Sequence, residues 1–223
     1  MQTRFRETAM RLVLLTAICL SHGALRPAQA ADAPASPGSA NPGPSIDGFR
    51  TAKFGMTEAQ LRGAIAADLK ISAITKTQNQ LQRTTVLSVQ APNLVPQGGT
   101  ATVSYVLGYQ THKLIQVNII WSPEIDPKTT PMMLYQNGET LQQYFASEGF
   151  PANRSTGNIA TPNGILLFRA TDSSGNAVLL ILSGTMAKNP KTETTALSPT
   201  TLTLAYAADV LHPDVFQLPR GSF

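Results

Sequence analysis

The sequence predicts an α+β fold: two helix-plus-antiparallel-strand units (αβββ-αβββ) packed as one domain. Three observations predict it. Two segments carry helix-start signals followed by an apolar face. Six short runs read as strands: four alternate side chains between two faces, as a sheet with one covered face requires, and 178–182 is continuously apolar, as suits a central strand. The elements come in the order helix, three strands, helix, three strands, so the chain reads as two copies of one plan.

The first helix opens at Met56-Thr57-Glu58-Ala59-Gln60-Leu61. Thr57 can cap it, and Gln60, three residues on, can reciprocate in a capping box. Met56 and Leu61 occupy the two positions of a hydrophobic staple. Leu61, Ala64, Ile65 and Leu69 continue one apolar face to about residue 69.

Three strands follow. Residues 84–91 place Thr85, Leu87 and Val89 on one face. Residues 101–107 place Ala101, Val103, Tyr105 and Leu107 on one face. Residues 113–121 do the same with Ile115, Val117, Ile119 and Trp121. That last row is expected to face the helices, with Leu61, Ile65, Leu141 and Phe145 as its partners. Pro92, Pro96 and Gly98-Gly99 break the first pair of strands, and residues 108–112 turn the second.

Thr130-Pro131 starts the second helix, with Pro131 at the first-turn position where its missing N–H costs nothing. Leu134, Leu141 and Phe145 share its apolar face, and Gly149 with Pro151 ends it. Gly138 is an interior flaw worth about 1 kcal/mol relative to Ala. Strands at 165–171 and 177–183 flank the hairpin loop Asp172-Ser173-Ser174-Gly175-Asn176. A polar loop at 187–199 precedes a last strand at 200–207.

The chain divides into four parts. Residues 1–30 read as a secretory signal peptide: Arg4, Arg6 and Arg11, a short apolar run at 12–20, then Ala28-Gln29-Ala30 as a small-x-small cleavage site. The run is about half the roughly 20 apolar residues a spanning helix needs. Residues 31–45 are an Ala/Pro/Gly/Ser leader with little to bury, expected to be disordered. Residues 46–210 are the single α+β domain, and 211–223 a solvated tail. Cleavage after Ala30 gives a periplasmic or secreted protein with no integral membrane segment. It removes Cys19, the one cysteine, so disulfides and thiol chemistry are excluded. It also takes Arg4, Arg6, Arg11, Arg26 and Glu7 from a chain with 17 Lys+Arg and 13 Asp+Glu. The remainder is nearly neutral, which removes the electrostatic case for nucleic acid.

Residues 54–61, Phe-Gly-Met-Thr-Glu-Ala-Gln-Leu, resemble the G-M-(S/T)-x-x-x-(V/L) helix opening of the small-protein-A/outer-membrane-lipoprotein domain. The same opening occurs in the repeats of β-lactamase inhibitory proteins. The resemblance implies a small exported domain in which a helical segment precedes an antiparallel sheet used as a protein-binding surface. The wording of residues 48–60 is also similar to that of uncharacterised exported bacterial proteins.

No pattern of residues points to catalysis. His112 falls in a turn and His212 near the end, and neither G-x-S-x-G nor S-x-x-K occurs. Asp209, His212 and Asp214 would supply at most three metal ligands, so no metal or other cofactor is expected. Residues 172–176 are explained by turn chemistry rather than by a calcium loop. The expected role is protein or envelope interaction rather than catalysis, with another envelope protein as partner. The alternative is a small-ligand carrier or an enzyme with a pocket of dispersed residues. The expected interface is a rim at one end of the sheet: Leu94 and Val95 from a Pro/Gly-rich loop beside Trp121 and Pro123.

Overall fold

Alternation of apolar side chains along the strands divides the sheet into one face that makes the core and one that does not. The computed structural model describes residues 43–188, 195–218 and 221–222. The expected signal peptide with Cys19, the leader as far as residue 42, Pro219-Arg220 and Phe223 lie outside the described residues. In chain order the elements are β1 (Gly48–Phe49), β2 (Ala52–Lys53), α1 (Glu58–Leu69), β3 (Thr75–Asn79), β4 (Thr84–Pro92), β5 (Thr100–Leu107) and β6 (Leu114–Trp121). There follow α2 (Pro131–Ser147), β7 (Ser155–Thr156), β8 (Ile159–Thr161), β9 (Gly164–Thr171), β10 (Ala177–Lys188) and β11 (Thr195–Ala207).

The result is a single α+β domain with two helices packed against a large antiparallel sheet. The strand order is β3-β4-β5-β6-β11-β10-β9-β7, with β8 also pairing β9. Each half contributes a meander, and the last strands of the two meanders, β6 and β11, meet at the centre.

Local chemistry starts each helix as expected. The Thr57 N–H donates to Gln60 Oε1 at 2.9 Å, and the Gln60 N–H donates to Thr57 Oγ1 at 3.4 Å. Thr130 Oγ1 caps α2 through the Met133 N–H. The helix runs unbroken through Gly138 and gives way at Gly149, whose φ of 80° is a left-handed value that glycine tolerates.

The core lies between the helices and the face formed by Leu87, Val89, Val103, Tyr105, Val117, Ile119 and Trp121 in one half. Val178, Leu180, Leu182, Leu202 and Leu204 continue it in the other half. Leu61, Ile65, Leu134 and Phe145 supply the helical side of this core. Leu141 packs against it half-buried.

The structure departs from the sequence expectations in four places. First, each half holds more than three strands, because β3, β7 and β8 are added at the sheet edges. Second, Ile115 is not in the inward row. A register shift between Val106 and Leu107 pairs Leu107 with Leu114, so buried Leu114 takes the core position and Ile115 stays half-buried. Third, the loop at 187–199 is shorter than expected, since the β10–β11 ladder continues to Lys188 opposite Thr195. Fourth, the segment after β11 is tied down. Residues 208–218 cross the ends of three hairpins: Val210 N–H donates to Gly175 O, Tyr109 N–H to Asp214 O, and Phe216 N–H to Gln82 O.

Candidate functional site

The registers assign every side chain of the opposite sheet face. One row crosses all eight strands of the main path: Thr75, Ser88, Ser104, Asn118, Ala205, Leu179, Arg169 and Thr156. A neighbouring row runs Gln90, Thr102, Ile120, Thr203, Ile181, Leu166 and Ile159. On the other side lie Thr77, Val86, Val106, Gln116, Ala207, Ala177 and Thr171. Both helices bury their apolar residues on the inner face, so neither lies over these rows. Arg169 is the one charged residue in the three rows.

Hydroxyl and amide groups on this face bond to each other, two pairs across strands and one along β6. Ser88 Oγ and Ser104 Oγ are 2.9 Å apart. Gln90 Nε2 donates to Thr102 Oγ1 at 3.0 Å, and Gln116 Nε2 donates to Asn118 Oδ1 at 2.8 Å. Asn118 is 5% exposed, and its Nδ2 has no acceptor among the described residues. An unmatched buried donor costs about 1–3 kcal/mol. The adjacent row is more apolar, with Ile120, Ile181 and Leu166 half-buried and Ile159 exposed. The arrangement is a broad face with one charge in its three rows: Val86, Ser104, Val106, Asn118, Ala177, Leu179 and Ala205 are buried, and Ser88, Gln90, Thr102, Ile120, Ile181 and Thr203 are half-buried or exposed. It is suited to contact with another surface and holds no nucleophile–base pair.

A second concavity of about 310 Å³ lies between the second half of α2 and the segment that carries β7. Phe145, Phe150 and Phe168 line it together with Gln142 and Asn158. The Phe145 and Phe168 rings stack with centroids 5.4 Å apart. Gln142 Nε2 donates to both Asn158 Oδ1 and Leu167 O. These bonds occupy the cleft's main polar group, and no titratable residue lines it.

The four residues expected at the sheet-end rim have different fates. Trp121 and Val95 are buried in the core, Leu94 is half-buried against it, and Pro123 is exposed. Their two loops do meet, since Asp126 Oδ2 accepts from the Thr100 N–H at 3.0 Å. That bond and one from the Lys128 N–H hold the Asp126 carboxyl below its usual range. The rim as assembled thus shows little apolar surface beyond Pro123.

Burial pushes the Tyr105 hydroxyl well above its usual pKa, with Asp68 adding to the effect. Burial does the same to Tyr206, helped by Tyr144 and Glu148. Both stay protonated at neutral pH. Among the described residues, no group of three or more His, Cys, Asp or Glu could hold a metal ion. No described helix is long and apolar enough to cross a membrane.

Sequence reasoning found six strands of the open face, missed β3, β7 and β8, and did not find the face itself. Alternation shows that a strand has two sides, and only the packing shows which side the helices cover. Compared with known proteins, the chain matches no family model, no curated protein and no solved structure.

Proposed function

We propose that this chain is an exported interaction domain that binds another envelope protein through the open face of its sheet. The observation that carries the reading is the breadth of that face. It spans strands from both halves, carries one charge in its three rows, and has neither described helix over it. Surfaces of this kind bury area without the cost of desolvating many charges. In this reading the protein works in the periplasm or outside the cell, after removal of residues 1–30.

We also read the two halves as copies of one helix-plus-meander plan, αβββ-αβββ with added edge strands. The mirrored strand order about the β6–β11 seam supports this. The resemblance to small-protein-A and β-lactamase-inhibitory domains stands on the same footing. In its support are the capping box at Thr57 and a helix preceding an antiparallel meander in each half.

A photo-crosslinking residue at Thr203, near the middle of the face, tests the reading in cells. A matched probe at Glu139, exposed on α2, is the control. The reading expects a discrete crosslinked band from Thr203 and none from Glu139. The same band from both positions, or none from either, would count against it. The second reading, a small-ligand carrier, is favoured by the phenylalanine-lined cleft. It expects small apolar molecules to raise the melting temperature of wild type and not of Phe150→Asp.

A further inference from the structure

The segment after β11 is held by side chains as well as backbone, and the holding groups form a socket between two hairpin turns. The Asp214 carboxylate accepts from the Gln110 N–H at 2.9 Å, the Thr111 N–H at 2.9 Å and the Thr111 hydroxyl at 2.6 Å. All three donors belong to the β5–β6 turn. Two residues on, the Phe216 ring lies between that turn and the β3–β4 turn. The Arg83 guanidinium carbon stands 3.8 Å from the ring centroid, and the Tyr109 ring meets it edge-on at 5.6 Å. Backbone bonds flank both anchors, Tyr109 N–H to Asp214 O and Phe216 N–H to Gln82 O, each 2.9 Å.

These contacts are the elements of peptide recognition. Convergent N–H and hydroxyl donors read a carboxylate. A guanidinium over one face and an aromatic edge against the ring read a phenyl group. Main-chain bonds fix the register between them. Gly108 marks how closely the guest approaches, because a Cβ there would collide with the Asp214 carboxylate. The hosts come from turns that stand on β3–β6, and these strands pair without help from the guest. By contrast, Leu211, His212 and Pro213, which lead into the socket, are exposed.

We propose that the groove between the β3–β4 and β5–β6 turns is a binding site for short peptide segments bearing an aspartate and, two residues later, a phenylalanine. The chain's own Asp214-Val215-Phe216 fills it in cis. A tethered guest of this kind acts at an effective concentration of roughly millimolar. A partner segment therefore gains the socket when the tether is lost or the partner binds more tightly than the tail. This proposal is independent of the open face, which lies on different residues.

The test uses the full chain with its guest residues removed, Asp214→Ala/Phe216→Ala, and a fluorescent peptide with the sequence of residues 208–218. Binding is followed by anisotropy. The proposal expects saturable binding to this variant and at least tenfold weaker binding to wild type, whose socket is filled. Peptide lacking the same Asp and Phe side chains should bind at least tenfold more weakly than the natural sequence. Adding Arg83→Ala to the vacated chain should weaken binding to a similar degree. Phe216→Ala alone leaves the Asp214 bonds in place and provides a second, milder vacated form, which must also bind peptide better than wild type. Failure of both folded variants to bind, or equal binding of natural and altered peptides, overturns the proposal.

Discussion

Asp172 and Ile46 join the start of the domain to the β9–β10 turn. The Asp172 carboxylate accepts from the Ile46 N–H at 2.9 Å across a sequence separation of 126 residues. The same side chain accepts from the Ser174 and Asn176 N–H groups, which makes the turn, while Asn176 Nδ2 donates to Ile46 O. Turn chemistry and the closure of the domain thus share one carboxylate, and it is 8% exposed.

Removing it should leave the buried Ile46 N–H unmatched, together with the part-buried turn bonds from the Ser174 and Asn176 N–H groups. Asp172→Ala should cost about 1.5–3 kcal/mol, the range for hydrogen bonds to a charged group. Asp172→Asn keeps one acceptor oxygen and should cost less. Urea unfolding of both variants checks the order. An Asp172→Ala chain as stable as wild type would show that Ile46 is not anchored there.

The bulge in β6 makes a second prediction. Ile119 is 1% exposed and Leu114 is 1% exposed, whereas Ile115 is half-buried. Ile119→Ala and Leu114→Ala should each cost about 2–5 kcal/mol through lost burial and a residual cavity. Ile115→Ala should cost clearly less than either. Equal losses at 114 and 115 would mean that the register does not shift at Val106/Leu107.

Gly138 has a packing role that its helix propensity hides. It faces the sheet, and a Cβ there would stand 2.7 Å from Leu167 Cδ1 and 3.5 Å from Leu202 Cδ1. Gly138→Ala gains about 1 kcal/mol of helix propensity, and the shift of the Leu167 tip offsets it. The net change should be under about 1 kcal/mol. Gly138→Leu cannot be absorbed in that way and should destabilise by about 1–3 kcal/mol. Thermal melts of the two variants separate these outcomes. A tolerated leucine would contradict the close approach.

Asp214 gives the fold a pH-dependent element. Burial works against its charge, but the bonds from the Thr111 hydroxyl and the Gln110 and Thr111 N–H groups prevail, aided by His112, and its pKa is lowered. A carboxyl lowered by folding binds its proton more readily in the unfolded chain. Its stabilisation is therefore complete above the unfolded value of about 3.9 and is lost as pH falls through the folded value. The melting-temperature gap between wild type and Asp214→Asn should be steady from pH 7 to 5 and close at lower pH. A gap that persists unchanged to about pH 2, well below the unfolded Asp value, would mean that the carboxylate is not what holds the segment.

Both helix starts and most strands were legible because each rests on local chemistry. Thr57 and Gln60 form a capping box from their spacing alone, and Val117, Ile119 and Trp121 face the core as alternation requires. What escaped has non-local causes. Thr75–Asn79 has four exposed residues out of five and no apolar side. It is a strand because β4 offers it a ladder and because Lys76 reaches Glu58 on α1 at 2.8 Å. Ile115 was misplaced because a bulge leaves no mark in an apolar run. The segment from residue 211 on reads as a solvated tail because its side-chain anchor, Asp214, has partners more than 100 residues away in sequence. The open face could not be told from the covered one by composition, since Val86, Val106 and Leu179 lie on it as well.

The central claim is that the open face is the contact surface, and paired charges there test it most directly. Thr102 and Thr203 flank Ile120 on the neighbouring strands and are half-buried. The measurement is affinity capture from the native envelope, comparing wild type with Thr102→Glu/Thr203→Arg under conditions where both melt at the same temperature. The account predicts that proteins recovered with wild type are lost from the double variant and kept by Phe150→Asp, which lies in the cleft and outside the open face. Recovery of the same proteins by the double variant, or their loss from Phe150→Asp alone, would contradict it.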